Sequence, residues 1–329
     1  MTPATAPSGS CGSAPSAERR AWRPVAPRWA TVPRMALDIG RVGIWTGTFD
    51  AHPSARVKVA GEELESLGFK TLWIPEAVGR DPFVTAALLL GATGNLIVAT
   101  GIANVYARDP MTMKACQRTL AEAFPGRFLL GLGVSSPALV QKVRHHDYDK
   151  PLSYMDNYLT AMDEAMFSAV GPKDEPPRLL AALGPKMLEL AARRTLGAHP
   201  YLTTPEHTRH AREVMGPDAL LAPEQMVVLE TDPAKARAVG RAGVASYLRA
   251  PGYLANLKRM GFADDDWANP REATDRLVDG IVAWGDLDAV AARVRAHLDA
   301  GADHVCVQVL RPDREIPSPE WRELATALL

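Results

Sequence analysis

The chain has 329 residues, a net charge of -1 and 47% hydrophobic residues. That length suits one α/β barrel or two ordinary domains, and the near-neutral charge excludes a global attraction to nucleic acid or to an anionic membrane. No apolar run reaches the roughly 20 residues of a membrane span, and Cys11, Cys116 and Cys306 are too scattered for a disulfide framework or a CxxC metal site, so a cytoplasmic protein is expected.

Residues 1–34 are rich in Ala, Pro and Arg, carry Glu18 as their one acid, and lack apolar periodicity. They read as a disordered extension, and residues 35–329 as a single domain. From Arg41 the chain alternates between two periods. Arg41–Trp45 reads as a strand, and 55–67 as a helix with Val57, Val59, Ala60, Leu64 and Leu67 on its apolar side. Strand 69–75, helix 82–93, strand 95–102, helix 110–124 and strand 127–133 follow. A polar insertion, 136–150, precedes helix 152–169 and strand 178–183. Helix 186–196, strand 198–202, helix 206–215, strand 225–230 and helix 233–248 continue the series. Residues 250–285 read as irregular or helical, with an acidic turn at Asp264–Asp266, before helix 286–300 and strand 304–310.

The strands are too apolar to have a wet face, and they alternate with helices at intervals of about 30 residues, the pattern of a buried parallel sheet. This predicts a (β/α)8 TIM barrel with insertions rather than a doubly wound sheet, and no GxGxxG follows the first strand. Barrels place their chemistry at the C-terminal strand ends. The candidates are therefore Glu76, Ala103 and Asn104, Val134 to Ser136, and the turn Gly184 to Met187.

Several of these have a reading of their own. Glu76 ends a buried strand, where its carboxylate can accept a hydrogen bond. The small residues of the 130–136 segment let a ligand approach the backbone, and the hydroxyls of Ser135 and Ser136 can bond a polar ring edge. Gly184 and Pro185 open a helix whose free N–H groups at Lys186 and Met187 suit an anion. His145 and His146, in the insertion, are weak candidates for acid or base. Trp45, Thr46 and Tyr106 could line a flat pocket or pack under loops. His207 and His210 share a helix face but have no evident third ligand, so no metal is expected.

The phrases "LGFKTLWIPE" (67–76), "TGIANVYARDPMTMKACQRTLAEAFPGRFLLGLGVSS" (100–136) and "LLAALGPKMLELAARRTLGAHPYLTTPEHT" (179–208) resemble the bacterial luciferase-like family, in particular its actinobacterial coenzyme F420-dependent oxidoreductases. The resemblance implies a cofactor ring across the strand C-termini. A bulge ending the third strand, often with a non-proline cis peptide, would back that ring at Gly101 and Ile102, with Ala103 and Asn104 beyond. It also implies Val134, Ser135 and Ser136 along the ring edge, and a phosphate held at Ala182, Leu183, Gly184, Pro185, Lys186 and Met187.

Two departures stand out. Family members often have His after the acid at Glu76, where this chain has Ala77, and some carry a carboxylate near Ser136. The implied function is hydride exchange between F420 and a small organic substrate, with FMN-dependent monooxygenation as the alternative cofactor chemistry. The missing proton-transfer groups keep a non-catalytic cofactor-binding protein in view. No nucleic-acid or membrane partner is expected, and a homodimer is an assembly the family often adopts.

Overall fold

The computed structural model describes residues 37–329, so the expected extension, 1–34, lies outside the described residues. The strands are β1 (Val42–Trp45), β2 (Thr71–Ile74), β3 (Ile97–Thr100), β4 (Ala103–Asn104), β5 (Phe128–Gly133), β6 (Arg178–Leu180), β7 (Gly197–Ala198), β8 (Leu220–Leu221), β9 (Glu224–Leu229), β10 (Ala283–Gly285) and β11 (Val305–Val309). They form one parallel sheet in the order β10-β9-β11-β1-β2-β3-β5-β6-β7-β8, with β4 on β5.

The sheet closes on itself through one stretch of chain. Residues 220–229 bond on one side to the end of β7, through Ala222 N–H to Ala198 O and Glu224 N–H to Pro200 O. On the other side they bond to β11 and its approach, through Asp303 N–H to Leu221 O and Cys306 N–H to Pro223 O. This is the expected barrel. Strands β2, β3 and β5 are buried on both faces, which is why their sequences are continuous apolar runs. In β2, Leu72 and Ile74 belong with Leu64 and Leu89 of the helical layer, while Trp73 packs with Trp45, Ala99, Leu129 and Leu179.

The helices obey their local signals. Asp81, Asp109 and Asp232 each precede a proline and accept two backbone N–H groups at the first turns of Pro82–Ala92, Pro110–Ala123 and Pro233–Val244. The aspartate caps while proline, which has no N–H to satisfy, occupies the first helical position. Among the described residues no helix is long and apolar enough to cross a membrane.

The structure corrects four local readings. Val59 is 61% exposed, so it is not part of the apolar side of helix Ser54–Ser66. The helix expected over 152–169 stops at Glu164. The segment 250–285 contains helices Pro251–Arg259 and Asp275–Ile281, within the irregular-or-helical reading, but ends in β10, an unexpected strand outside the barrel ring. Finally, helix Ser318–Leu328 follows the last strand, with Trp321 and Leu324 buried.

Candidate functional site

Beyond β3 the chain kinks at a cis peptide bond between Gly101 and Ile102, the position expected for the bulge. Gly101 N–H donates to Ile74 O, Glu76 N–H donates to Ile102 O, and the indole Nε1 of Trp45 donates to Gly101 O at 3.0 Å. Only glycine fits here. A Cβ at position 101 would stand 2.6 Å from Trp45 Nε1 and 3.2 Å from His199 Nε2. A Cβ at Gly133 would meet Ile102 Cδ1 at 2.4 Å, so the bareness of the β5 end makes room for the bulge.

Glu76 is not a free carboxylate. Its Oε2 accepts Asn104 N–H at 2.8 Å, and both oxygens accept from Arg108 Nη1 at 2.8 and 2.9 Å. Arg144 stands 3.7 Å from it and donates to Ala77 O. With side chains only 7% and 11% exposed, Glu76 and Arg108 form a buried pair that ties the β2 end to the β4 loop. Sequence reasoning placed Glu76 at the site; the structure makes it a fastener there.

Beside it, Asn104 and Tyr106 are buried. The Nδ2 of Asn104 and the hydroxyl of Tyr106 have no partner among the described residues. Tyr106 stacks on Tyr154 with centroids 4.3 Å apart, and burial pushes its phenol up to about 12.

Past β5, Ser135 adopts a left-handed backbone (φ 59) and Ser136 Oγ accepts Leu139 N–H, opening the short helical segment Ala138–Val143. The Ser136 hydroxyl thus serves a local turn. His145 and His146 are exposed on the same insertion, and nothing in the described structure engages their rings. At the end of β6, Ala182 is buried and Gly184 caps helix Pro185–Arg194. Met187 N–H is already bonded to Gly184 O, against the expectation of two free groups. Arg259, unread in the sequence, supplies a second cation: its Nη1 would lie 3.5 Å from a Cβ at Gly184. Neither Lys186 nor Arg259 has a carboxylate partner among the described residues, and both are exposed. Behind this turn the buried His207 donates from Nε2 to Leu183 O, and among the described residues no three metal-ligating side chains cluster.

The barrel interior holds a group that sequence reasoning missed. His199 stacks on Trp73 (centroids 4.6 Å, 14°) and donates from Nδ1 to Ala222 O, which leaves Nε2 as a bare acceptor toward Gly101. Trp73 in turn donates to His304 Nε2, and His304 Nδ1 donates to Gly40 O. Burial lowers both imidazoles to about 4, so both are neutral.

Next to them Tyr201 lies 5.2 Å from Trp45. Its hydroxyl donates to Gln308 Oε1 and accepts from Tyr247, each at 2.8 Å. Tyr253 packs edge-on to Tyr247, and these two side chains come from the 246–282 insertion. Glu224 is 1% exposed. Its Oε2 accepts Leu202 N–H at 3.3 Å, its Oε1 has no partner among the described residues, and burial raises its carboxyl to about 8. The signal available in advance was an acid heading an otherwise apolar strand, and a His and Tyr just past β7, where the strand-end rule also applied.

Known proteins share this architecture. A Mycobacterium tuberculosis protein provisionally named as a coenzyme F420-dependent oxidoreductase is 24% identical, covering 81% of this chain and 94% of its own. The 5,10-methylenetetrahydromethanopterin reductase of Methanolobus tindarius is 25% identical over 78% and 90%. Among solved structures, an F420-dependent secondary alcohol dehydrogenase in complex with an F420–acetone adduct superposes with a TM-score of 0.70 at 15% identity, over 88% and 99%. The oxygenating constituent of a Pseudomonas putida diketocamphane monooxygenase, in complex with FMN, gives 0.62 at 14%, over 88% and 96%. At those identities the structural likeness establishes the fold. The luciferase-like monooxygenase family matches residues 41–304, most of the chain, and the protein with its kinked third strand belongs to that family.

Proposed function

We propose that this protein is a coenzyme F420-dependent oxidoreductase that moves a hydride between the deazaflavin and a small organic substrate. The observation that carries the reading is the start of helix Pro185–Arg194, where Lys186 and Arg259 stand without carboxylate partners beside a helix N-terminus. Such an end attracts the phosphate of a cofactor tail. The kink at Gly101, filled behind by Trp45 and His199, gives a flat ring a rigid support. The relative named for F420 favours the deazaflavin.

In this reading the deazaflavin supplies the hydride chemistry, and the chain's residues bind, orient and dry its ring. Trp45 and His199 fix the bulge, the Glu76–Arg108 pair holds the loop bearing Asn104 and Tyr106, and Tyr201, Tyr247 and Tyr253 wall the substrate side. Fluorescence titration of the purified protein should show tighter binding of F420 than of FMN, and Lys186→Ala and Arg259→Ala should each weaken F420 binding about tenfold, the loss of roughly one charge-assisted contact. Equal or reversed preference would remove the F420 reading and favour the FMN-dependent monooxygenase, for which the FMN-bound structural neighbour is the specific support.

A further inference from the structure

Within that reading we propose that Glu224 is a neutral carboxylic acid buried inside the barrel that gives its proton to the substrate as hydride adds, making the substrate a neutral organic carbonyl or imine.

The acid–base candidates read from the sequence are either engaged or exposed. Glu76 accepts from Asn104 and Arg108, Ser136 caps a turn, and His145 and His146 are exposed on the insertion. Glu224 differs from Glu76 in having no cation beside it. The titratable groups facing it are the phenols of Tyr201, Tyr247 and Tyr253 and, across the β9–β11 register, the thiol of Cys306. A carboxylate buried among such neighbours with a single N–H donor is costly, so the proton stays on. One oxygen is left without a partner among the described residues. A chain of contacts links the acid to the kink: Glu224 accepts Leu202 N–H, the neighbouring Tyr201 packs on Trp45, and Trp45 holds Gly101 O. The aromatic walls and the lack of a nearby cation select an uncharged substrate.

The step balances with reduced deazaflavin as the two-electron reductant. Hydride adds to the electrophilic carbon of C=O or C=N, the π pair moves to the heteroatom, and a new O–H or N–H bond forms there as the O–H bond of Glu224 breaks. The resulting carboxylate regains a proton from solvent after the product leaves. In the oxidising direction the same carboxylate accepts the proton.

The test uses full-length protein, wild type and Glu224→Gln. Infrared titration of the wild type should show the carbonyl band of a protonated carboxylic acid at neutral pH, fading as pH rises through about 8, and absent from the variant. In single turnovers with reduced F420, the variant should bind the cofactor like wild type and reduce ketones and imines about 10²-fold more slowly or worse. Benzoquinone, whose reduced anion needs no proton to form, should keep its wild-type rate. That contrast distinguishes an acid from a residue that merely supports the fold. A missing band, a wild-type ketone rate, or an equal loss on quinone and ketone would each overturn the proposal. Wild-type protein that binds no F420 would instead overturn the cofactor reading, and with it the donor role, while the infrared band would still report the neutral acid.

Discussion

Glu224 has a consequence for stability that is separate from any catalysis. Its carboxyl titrates near the ordinary 4.5 in the unfolded chain and at about 8 in the fold, so between those values the folded state holds the extra proton. Stability therefore falls as pH rises through that window, by an amount on the order of a few kcal/mol. Urea denaturation of wild type and Glu224→Gln at pH 5 and pH 8.5 should show the variant gaining on wild type at the higher pH; a constant difference would mean that Glu224 is ionised in the fold. At Gly101 the constraint is steric. Gly101→Ala forces a methyl against the Trp45 indole and should cost about 1–3 kcal/mol, the range for overpacking a filled core. Its denaturation midpoint checks this.

At the level of elements, the Glu76–Arg108 pair joins the end of β2 to the chain beyond β4, and Arg144 adds the 136–150 insertion to the same junction. Removing the acid leaves two arginines and the Asn104 N–H without it in a nearly closed space. Glu76→Ala should destabilise by about 3 kcal/mol and Glu76→Gln by less, because the amide oxygen still accepts from Asn104. Chemical denaturation of the two variants tests the order.

Elements of this kind were partly legible. The apolar runs announced every strand of the ring except β8, and the Gly101–Ile102 kink fell where expected. What escaped was whatever depends on meetings between distant residues. Arg259 reaching Gly184, Tyr247 reaching Tyr201, and Arg108 claiming Glu76 leave no periodicity in the chain. Glu224 escaped because it heads its strand, away from the strand ends where the search was made.

For the molecule as a whole, buried imidazoles set an acid limit. His199 and His304 are lowered to about 4 and His297 to about 3, chiefly by burial. Each is neutral in the fold, and each takes up a proton near 6.5 when the chain unfolds. Their contribution to stability is thus fully present above pH 6.5 and is lost as pH falls toward 4. Denaturation midpoints should drop between pH 7 and pH 5, and His297→Gln, which still has groups to bond Thr208 and Gln225, should flatten the decline.

The closure of the sheet at residues 220–229 also governs how this protein should behave in storage. A ring of strands offers no long border on which a second chain could add its own strand, and the pieces of sheet left outside the ring are β4 and β10, of two and three residues. Self-association by strand addition then requires the ring itself to open. Aggregation during storage should accordingly track the rate of global unfolding, and whatever slows that opening, a tightly bound ligand included, should lengthen shelf life in proportion.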